Sequence, residues 1–510
     1  MASMGFLQSL SNNTGGIVAA LAAIVLAHAI WKAFYNVFLH PLQAFPGPTL
    51  LGMSRIPYCW RLLRGTLPYD ILDLHKKYGD VVRIAPDELA FSNATALKEI
   101  MGHQHGKEFR KLKSFYRPVD ASPVNVVNAE REEHSILRRQ LAHGFSEKSM
   151  REQEPVINVY IDLLIQRLHE NCANGKALNL TAWYNWTTFD IIGDLAFGEP
   201  FGCLQNLKDH PYVHLIFQSA RAGTIFITVG FYPLLNKFFW ALMPKFVLAR
   251  YIRQTELSRE KLQRRMEPGN ERSDLIEALL QKKDELNLSL DNLQSNANVF
   301  IIGGSETTAT LLTGVTYLLL SSPSALEKLT KEVRSTFDKE QEITMASVNQ
   351  LTYMLACLNE ALRVYPPIPA GLPRLVPSKG HVILGRYVPG DTIVALHHWA
   401  MYHNEKHFTD PHSFTPERFL GDPRYANDEF EILQPFSVGP RNCLGRKMKI
   451  ADFILTDSLA YAEMRMILAR IIYNFDMSLV EESKGWMERQ KIYSFWQKGQ
   501  LYVRLTPVRK

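Results

Sequence analysis

One cysteine near the C-terminus lies in a setting that can support redox chemistry. Residues 436–445 read FSVGPRNCLG, so Cys443 occupies a loop punctuated by glycine and proline, just before a long apolar helical pattern. A thiolate in such a loop can be an axial ligand of haem iron, to which it donates electron density that favours cleavage of an O–O bond. Gly439 permits a tight turn, and Gly445 permits the backbone to pass close beneath a flat ring. The alternative is an ordinary buried thiol, because free cysteine is among the most buried residue types.

A second group of residues that could take part in catalysis interrupts the apolar pattern of residues 299–320. The interruption, at residues 303–308, reads GGSETT. A glycine pair and a carboxylate inside an apolar helix lower its stability, and that cost indicates a function. Glycines make room for a ligand, and Glu306 with the hydroxyl of Thr307 can relay protons. The alternative is a kinked helix in the core.

A charged pair stands on a third predicted helix. Glu360 and Arg363 are three residues apart, so they share one helical face, and the sequence YPP follows at residues 365–367. The sequence PERF, which contains Arg418, comes further along the chain. Such a pair alone is common on surface helices, but its combination with the two later stretches is specific.

These stretches, in their order along the chain, resemble those of the cytochrome P-450 monooxygenases. The resemblance extends from about Pro41 to the end of the chain. The resemblance is strongest to the fungal, membrane-anchored enzymes of secondary metabolism of the trichothecene C-15 hydroxylase type. It implies a mainly α fold with a smaller β region, and a heme b whose iron is ligated by Cys443. It also implies hydroxylation of a lipophilic substrate, such as a terpenoid or polyketide, by O₂ and two electrons. The electrons would come from NADPH through a flavoprotein reductase.

The resemblance also implies roles for single side chains. Glu306 and Thr307 are expected to relay protons to dioxygen. Glu360, Arg363 and Arg418 are expected to form a salt bridge beneath the haem loop. The residues expected to bind haem or its propionates are His134, Arg138, Arg374, Arg441, Cys443 and Gly445. The residues expected to border the substrate pocket are Gly303, Ala370 and Gly371.

One departure from the family pattern follows the cysteine loop. The family continues as C-x-G-x-x-L-A-x-x-E, but the leucine expected at position 448 appears here as Leu459, which leaves 459 − 448 = 11 extra residues. These begin with Met448 and end with Ser458. We expect them to loop out or to add a stretch of helix on the proximal surface. The alternatives are a retained intron and a haem protein inactivated by the insertion.

An apolar segment near the N-terminus predicts a membrane anchor. Residues 15–38 reach about the 20 residues needed to span a bilayer. Lys32 favours a cytosolic C-terminal side. A cleaved signal peptide is the competitor, but the start of the chain lacks a basic region. The predicted organisation is a luminal N-terminus (1–14), a transmembrane helix (15–38), a proline-rich hinge (39–49) and a cytosolic catalytic domain (50–510) on the endoplasmic reticulum.

Other segments support this organisation. Residues 78–92 alternate and are β-branched, which predicts a hairpin. Residues 211–246 are apolar and aromatic, and by resemblance they form a pocket roof that dips into the membrane; a buried pair of core helices is the alternative. The five cysteines are widely spaced, which favours a reducing compartment.

The charge is mildly basic and bears on the choice of partner. The net charge is +6 without a long Lys/Arg run, so nucleic acid is not an expected partner. Basic residues near the proximal side are candidates for docking an acidic reductase: Arg139, Arg446, Lys447 and Lys449. A haem-thiolate isomerase or lyase, which needs no reductase, is the rival enzyme class, but it has no use for the relay of Glu306 and Thr307. A haem carrier is the non-catalytic rival.

Overall fold

The fold is taken from a computed structural model, which describes residues 2–103, 108–117, 122–243, 245–267, 272, 274–446 and 459–508. Helices dominate the described chain, as predicted. Their bounds are α1 Ala2–Phe38, α2 Thr49–Met53, α3 Ile56–Arg64, α4 Leu67–Tyr78, α5 Ala94–Met101, α6 Lys113–Tyr116, α7 Arg131–Leu141, α8 Glu147–Asn171, α9 Leu180–Phe197, α10 Cys203–Asn206, α11 Pro211–Gly230, α12 Pro233–Ala241, α13 Lys245–Arg265, α14 Glu277–Gln281, α15 Leu290–Ile301, α16 Thr307–Leu320, α17 Pro323–Thr336, α18 Thr352–Val364, α19 His398–Tyr402 and α20 Leu459–Asn474.

Short strands form small sheets beside the helices. Their bounds are β1 Val81–Ala85, β2 Glu88–Phe91, β3 Arg110–Lys111, β4 Ala177–Asn179, β5 Arg374–Leu375, β6 His381–Ile383, β7 Arg386–Val388, β8 Ile393–Leu396, β9 Phe475–Leu479, β10 Lys491–Ile492, β11 Trp496–Gln497 and β12 Tyr502–Pro507. The largest sheet has the order β1-β2-β8-β5-β3, and another has the order β4-β12-β9. The predicted hairpin is confirmed, since β1 and β2 pair antiparallel.

Helices α9 and α16 form the centre of the main core. Both are buried nearly all round, as expected for helices that are apolar on every face. A buried hydrogen bond of 2.8 Å joins the hydroxyls of Tyr184 and Thr316 between them. The short π-helix Ile302–Glu306 connects α15 to α16 and packs against α9. Single π turns inside α-helices are frequent at functional sites.

The N-terminal helix extends away from this core. The stretch of residues 16–38 is long and apolar enough to cross a membrane. Helix α1 already begins at Ala2, so it also includes residues predicted as a luminal N-terminus. The hinge after it is tied to the sheet, because the N–H of Arg83 donates to the carbonyl of Pro46 at 2.7 Å. Gly47 is required at this contact, since a Cβ there would lie 2.4 Å from the Arg83 carbonyl oxygen.

Candidate haem site

The cysteine loop is held open around its sulfur. Ser437 and Gly439 both have positive φ, and a Cβ on Gly439 would lie 2.1 Å from the carbonyl oxygen of Met101. The backbone N–H of Cys443 donates to Phe436 at 2.9 Å, which closes the loop. At Gly445 a Cβ would meet only the Cys443 sulfur, at 3.7 Å. Cys443 is exposed, so the loop leaves one face of this residue open.

The Cys443 sulfur is accessible from this face but lies deep among protein atoms. Burial raises the pKa of the Cys443 thiol, while the backbone N–H groups of Gly445 and Arg446 and the charge of Arg138 act in the opposite direction. Donors that point at a sulfur stabilise the thiolate, which is the form that ligates a metal. Arg138 is fixed at the same loop, because its Nη1 donates to the Asn442 carbonyl at 2.6 Å and its Nη2 to the Asn442 side chain.

The four predicted propionate-binding residues converge on one cluster. Burial, followed by the charges of Arg441 and Lys111, lowers the pKa of His134 to about 3. Burial, followed by the charge of Arg374, lowers the pKa of Lys111 well below its ordinary value. The pairing of β3 with β5 places Lys111 directly opposite Arg374. Lys111 is missing from the sequence prediction, although it lies in a basic segment that the sequence shows.

The cluster has more positive than negative charge. Lys111, Arg138, Arg374 and Arg441 face Glu108, which pairs with Arg441 at 2.6 Å. Arg374 is 5% exposed, and its Nη1 has no hydrogen-bond partner among the described residues. Buried cations require anionic partners, and guanidinium groups match carboxylates best. The cluster and the open thiol face therefore fit a flat group that carries carboxylates, such as haem with its two propionates.

The two glycines of the broken helix have different packing roles. A Cβ on Gly304 would lie 2.7 Å from the side chain of Ile192 on α9, so Gly304 permits close packing of the helices. A Cβ on Gly303 would meet nothing within 4 Å, and Gly303 is exposed although it belongs to a core helix. Gly303 therefore borders open space. The hydroxyl of Thr307 lies on the same turn and donates to the Gly303 carbonyl at 2.6 Å.

Glu306 is buried and paired with a residue that the sequence prediction missed. Its Oε1 lies 2.9 Å from Nζ of Lys498, and its Oε2 has no hydrogen-bond partner among the described residues. Lys498 comes from the C-terminal segment between β11 and β12. No local motif in the sequence marks it.

The charged pair on α18 belongs to a fully buried ionic network. Glu360 binds Arg363 at 2.7 Å and Arg418 at 3.4 Å, and all three side chains are buried. Arg418 also pairs with Asp428, which the sequence prediction missed. Arg363 donates to the carbonyl oxygens of Pro411 and Ser413 at 2.6 and 2.9 Å. These bonds hold the loop that precedes the PERF sequence at residues 416–419.

Two other predicted positions, Ala370 and Gly371, come shortly before β5, and Gly371 pairs with His397 between β8 and α19. Gly371 is buried, and its N–H donates to Nδ1 of His397 at 2.9 Å. A Cβ on Gly371 would lie 2.7 Å from that ring, so the position requires glycine. Ala370 is partly exposed next to it.

The predicted insertion, residues 448–458, lies outside the described residues. So do two residues of the predicted docking surface, Lys447 and Lys449. Arg139 is exposed on α7. Arg446 is half-buried and donates to the side-chain oxygen of Gln434 at 3.1 Å, so part of its guanidinium is committed to the loop.

Comparisons with known proteins give the family. A sequence model of the cytochrome P-450 family matches residues 52–503. The chain is 46% identical over 489 residues to the cytochrome P-450 monooxygenase prhB of Penicillium brasilianum, covering 96% of this chain and 98% of that protein. It is 47% identical over 494 residues to the monooxygenase tpeC of Talaromyces stipitatus, covering 96% and 94%. It is 42% identical over 492 residues to the trichothecene C-15 hydroxylase of Fusarium sporotrichioides, covering 94% and 96%.

The chain belongs to the cytochrome P-450 family, so the resemblance and the mainly α fold predicted from the sequence are confirmed. It is a monooxygenase, which binds haem through a cysteine thiolate and takes electrons from a redox partner, as is standard in the family.

Proposed function

We propose that this enzyme hydroxylates a lipophilic small molecule, a terpenoid or a polyketide, in fungal secondary metabolism, with Cys443 as the haem ligand. The observation that carries the assignment of Cys443 is its loop, in which backbone donors and Arg138 surround a sulfur on an open face. The other four cysteines are buried.

The bound haem supplies the oxidising chemistry, and the protein supplies position and access. Cys443 holds the iron from the loop side. His134, Arg138, Arg374 and Arg441 hold the propionates, and Lys111 joins them because it faces the same cluster. His134 offers a ring N–H that can donate a hydrogen bond to a propionate. Gly445 keeps the space beside the sulfur free of side-chain atoms.

Proton supply is assigned to the π-helix Ile302–Glu306 and to Thr307, the first residue of α16. Oε2 of Glu306 is free of partners among the described residues, so it is the atom that takes up and passes on the proton. Thr307 exposes its hydroxyl toward the open space beside Gly303 and can exchange its bond to the Gly303 carbonyl for one to a ligand. A carboxylate and a hydroxyl on one turn form a short path for protons.

The substrate class is proposed from the relatives and the pocket border. One relative is named as a hydroxylase of trichothecenes. Gly303 borders open space, and Ala370 is small, apolar and partly exposed, whereas the space beside Gly371 is filled by the ring of His397. A lipophilic substrate fits such a border, because burial of apolar area drives the binding of small molecules.

We further propose a single-pass protein of the endoplasmic reticulum with a cytosolic catalytic domain. Residues 16–38 form the anchor, and Lys32 favours the cytosol on its C-terminal side. NADPH–cytochrome reductase is the proposed electron donor. Arg139 and Arg446 support docking of its acidic surface.

The test of this proposal is the reduced carbon-monoxide difference spectrum of the full-length protein. Wild type is expected to give the thiolate-type band, and Cys443→Ala is expected to lose it completely. Cys172→Ala is the matched control, because Cys172 is a buried cysteine at the end of α8, and it should keep the band. An unchanged spectrum in Cys443→Ala contradicts the assignment. Turnover without NADPH would instead favour an isomerase or lyase.

A further inference from the structure

A buried lysine from the C-terminal segment holds the carboxylate of Glu306. The ion pair between Lys498 Nζ and Glu306 Oε1 measures 2.9 Å, and the two side chains are 4% and 7% exposed. The ammonium also donates to the hydroxyl of Thr310 at 2.9 Å and to Oδ1 of Asn185 at 3.3 Å. The Thr310 hydroxyl in turn donates to Glu306 Oε1 at 3.3 Å. Lys498 and Thr310 thus both contact one oxygen of this carboxylate, and Asn185 helps to hold the ammonium.

The other oxygen of Glu306 is in a different environment. Glu306 Oε2 is buried and makes no hydrogen bond to any described residue. It belongs to the last residue of the π-helix, next to Thr307 and one turn after Gly303, which borders open space. The carboxylate therefore has one end committed to Lys498 and one end available for a proton.

The segment that carries Lys498 is itself firmly held. The carbonyl of Gly499 accepts hydrogen bonds from Trp486 Nε1 and from the hydroxyl of Thr181, both at 3.0 Å. The N–H of Leu501 donates to the same hydroxyl at 3.2 Å. Burial lowers the pKa of Lys498, whereas the contact with Glu306 raises it. A buried ammonium is tolerated only where it is paired and hydrogen-bonded, and Lys498 meets both conditions.

We propose that Lys498 is a positioning residue of the proton relay, which fixes Oε1 of Glu306 and keeps the carboxylate ionised so that Oε2 accepts and returns the proton. This inference rests on the proposed function, which assigns Glu306 to the relay. Without the Lys498 ammonium, the buried carboxylate of Glu306 would lose the cation that pairs with it. It would then take up a proton, because a buried unpaired charge is unfavourable. A carboxyl that is already protonated cannot accept another proton from the solvent side.

The first test is infrared spectroscopy of the full-length, haem-loaded protein at neutral pH. Lys498→Met is expected to gain the carbonyl-stretch band of a protonated carboxyl. Wild type and the double variant Lys498→Met/Glu306→Gln should both lack the gained band. Lys491→Met is the matched control, because Lys491 is an exposed lysine on the neighbouring strand β10, and it should resemble wild type. Absence of the band in a folded Lys498→Met protein overturns the proposal.

The second test keeps the proposal falsifiable if Lys498→Met folds poorly. The double variant removes both charges, so it should melt at a higher Tm than Lys498→Met, or be recovered folded where Lys498→Met is not. If the two variants have the same Tm and the same recovery of folded protein, the proposed coupling is overturned. An unpaired Glu306 would then not lower the stability of the protein. A wild-type protein without a thiolate-type carbon-monoxide band would sink the proposed function instead, since neither the infrared nor the melting result depends on the thiolate.

Discussion

Two threonines on one helix make the same hydrogen bond in different surroundings. Thr307 donates to the Gly303 carbonyl at 2.6 Å, and Thr313 donates to the Ala309 carbonyl at 2.7 Å. Thr313 is fully buried, whereas Thr307 is partly exposed beside Gly303. Only Thr307 can therefore exchange its bond for one to a ligand, and the pair separates a relay function from an effect of helix geometry.

We predict that Thr307→Ala retains haem but diverts reducing equivalents from NADPH to hydrogen peroxide. The reason is that a positioned proton donor contributes about 10²–10⁴-fold to the step that it serves. The measurement is peroxide formed per NADPH oxidised with the reductase present, and this ratio should rise towards one. Thr313→Ala removes the matching bond deeper in the core and should leave the ratio unchanged. An unaltered ratio in Thr307→Ala shows that the role assigned to it is wrong.

Local motifs and long-range contacts differ in what the sequence can reveal. Glu306 and Thr307 could be singled out because a carboxylate and glycines in an apolar helix conflict with local propensity. Lys498 and Lys111 could not, because each acquires its role only through a partner far away in the chain. Asp428 could not either, because Arg418 lies ten residues before it, outside the spacings at which neighbours on one helix meet. An exposed lysine and a buried one look the same in sequence, since burial is decided by packing.

At the scale of elements, helix α20 joins the cysteine loop to α18. The ring of Tyr461 lies 5.5 Å from that of Phe436, at the start of the loop. The Tyr461 hydroxyl donates to Asn359 on α18 at 2.8 Å. Leu459 is buried in the main core at the first residue of the helix. The helix that begins directly after residues 448–458 thus contacts the cysteine loop. The family pattern without an insertion would require the same contact.

We predict that deletion of residues 448–458 leaves haem incorporation equal or better. The contacts of Tyr461 with Phe436 and Asn359 lie outside the deleted stretch, and loop length by itself costs only about 0.6 kcal/mol per doubling. The measurement is haem bound per polypeptide, with the carbon-monoxide spectrum as the readout of the thiolate.

A length-matched control separates the effects of sequence and spacing in this experiment. Replacement of residues 448–458 by a Gly/Ser linker keeps the spacing between Arg446 and Leu459 but removes the native side chains. Loss of haem only on deletion shows that spacing matters, and loss in both variants shows that the segment is an integral part of the fold; either result contradicts the prediction. Sequencing of the mature transcript shows whether the segment is translated.

The whole molecule carries a second apolar surface beside its N-terminal helix. Large apolar side chains on α2, α3 and α12 are exposed by half or more: Leu50, Ile56, Trp60, Leu234, Leu235 and Phe238. Contacts between α3 and α11, with the rings of Tyr58 and Phe231 6.0 Å apart, bring these helices to one side of the molecule. The alternative of a buried helix pair at residues 211–246 is wrong for α12, none of whose residues is buried. This surface is suited to a bilayer.

We predict that the protein without residues 2–31 still binds lipid vesicles through this surface. The deleted residues from 16 onwards are exposed, and the bond from Asn36 to the Met53 carbonyl remains, so the start of the catalytic domain keeps this contact. In this background Leu234→Glu/Phe238→Glu should weaken vesicle binding at least tenfold, because burial of one large apolar side chain is worth about 1.5–3 kcal/mol. Val382→Glu, at an exposed apolar position on β6, is the control and should bind as before. The measurement is co-sedimentation with phospholipid vesicles, and equal binding by all three proteins excludes α12 from the membrane contact.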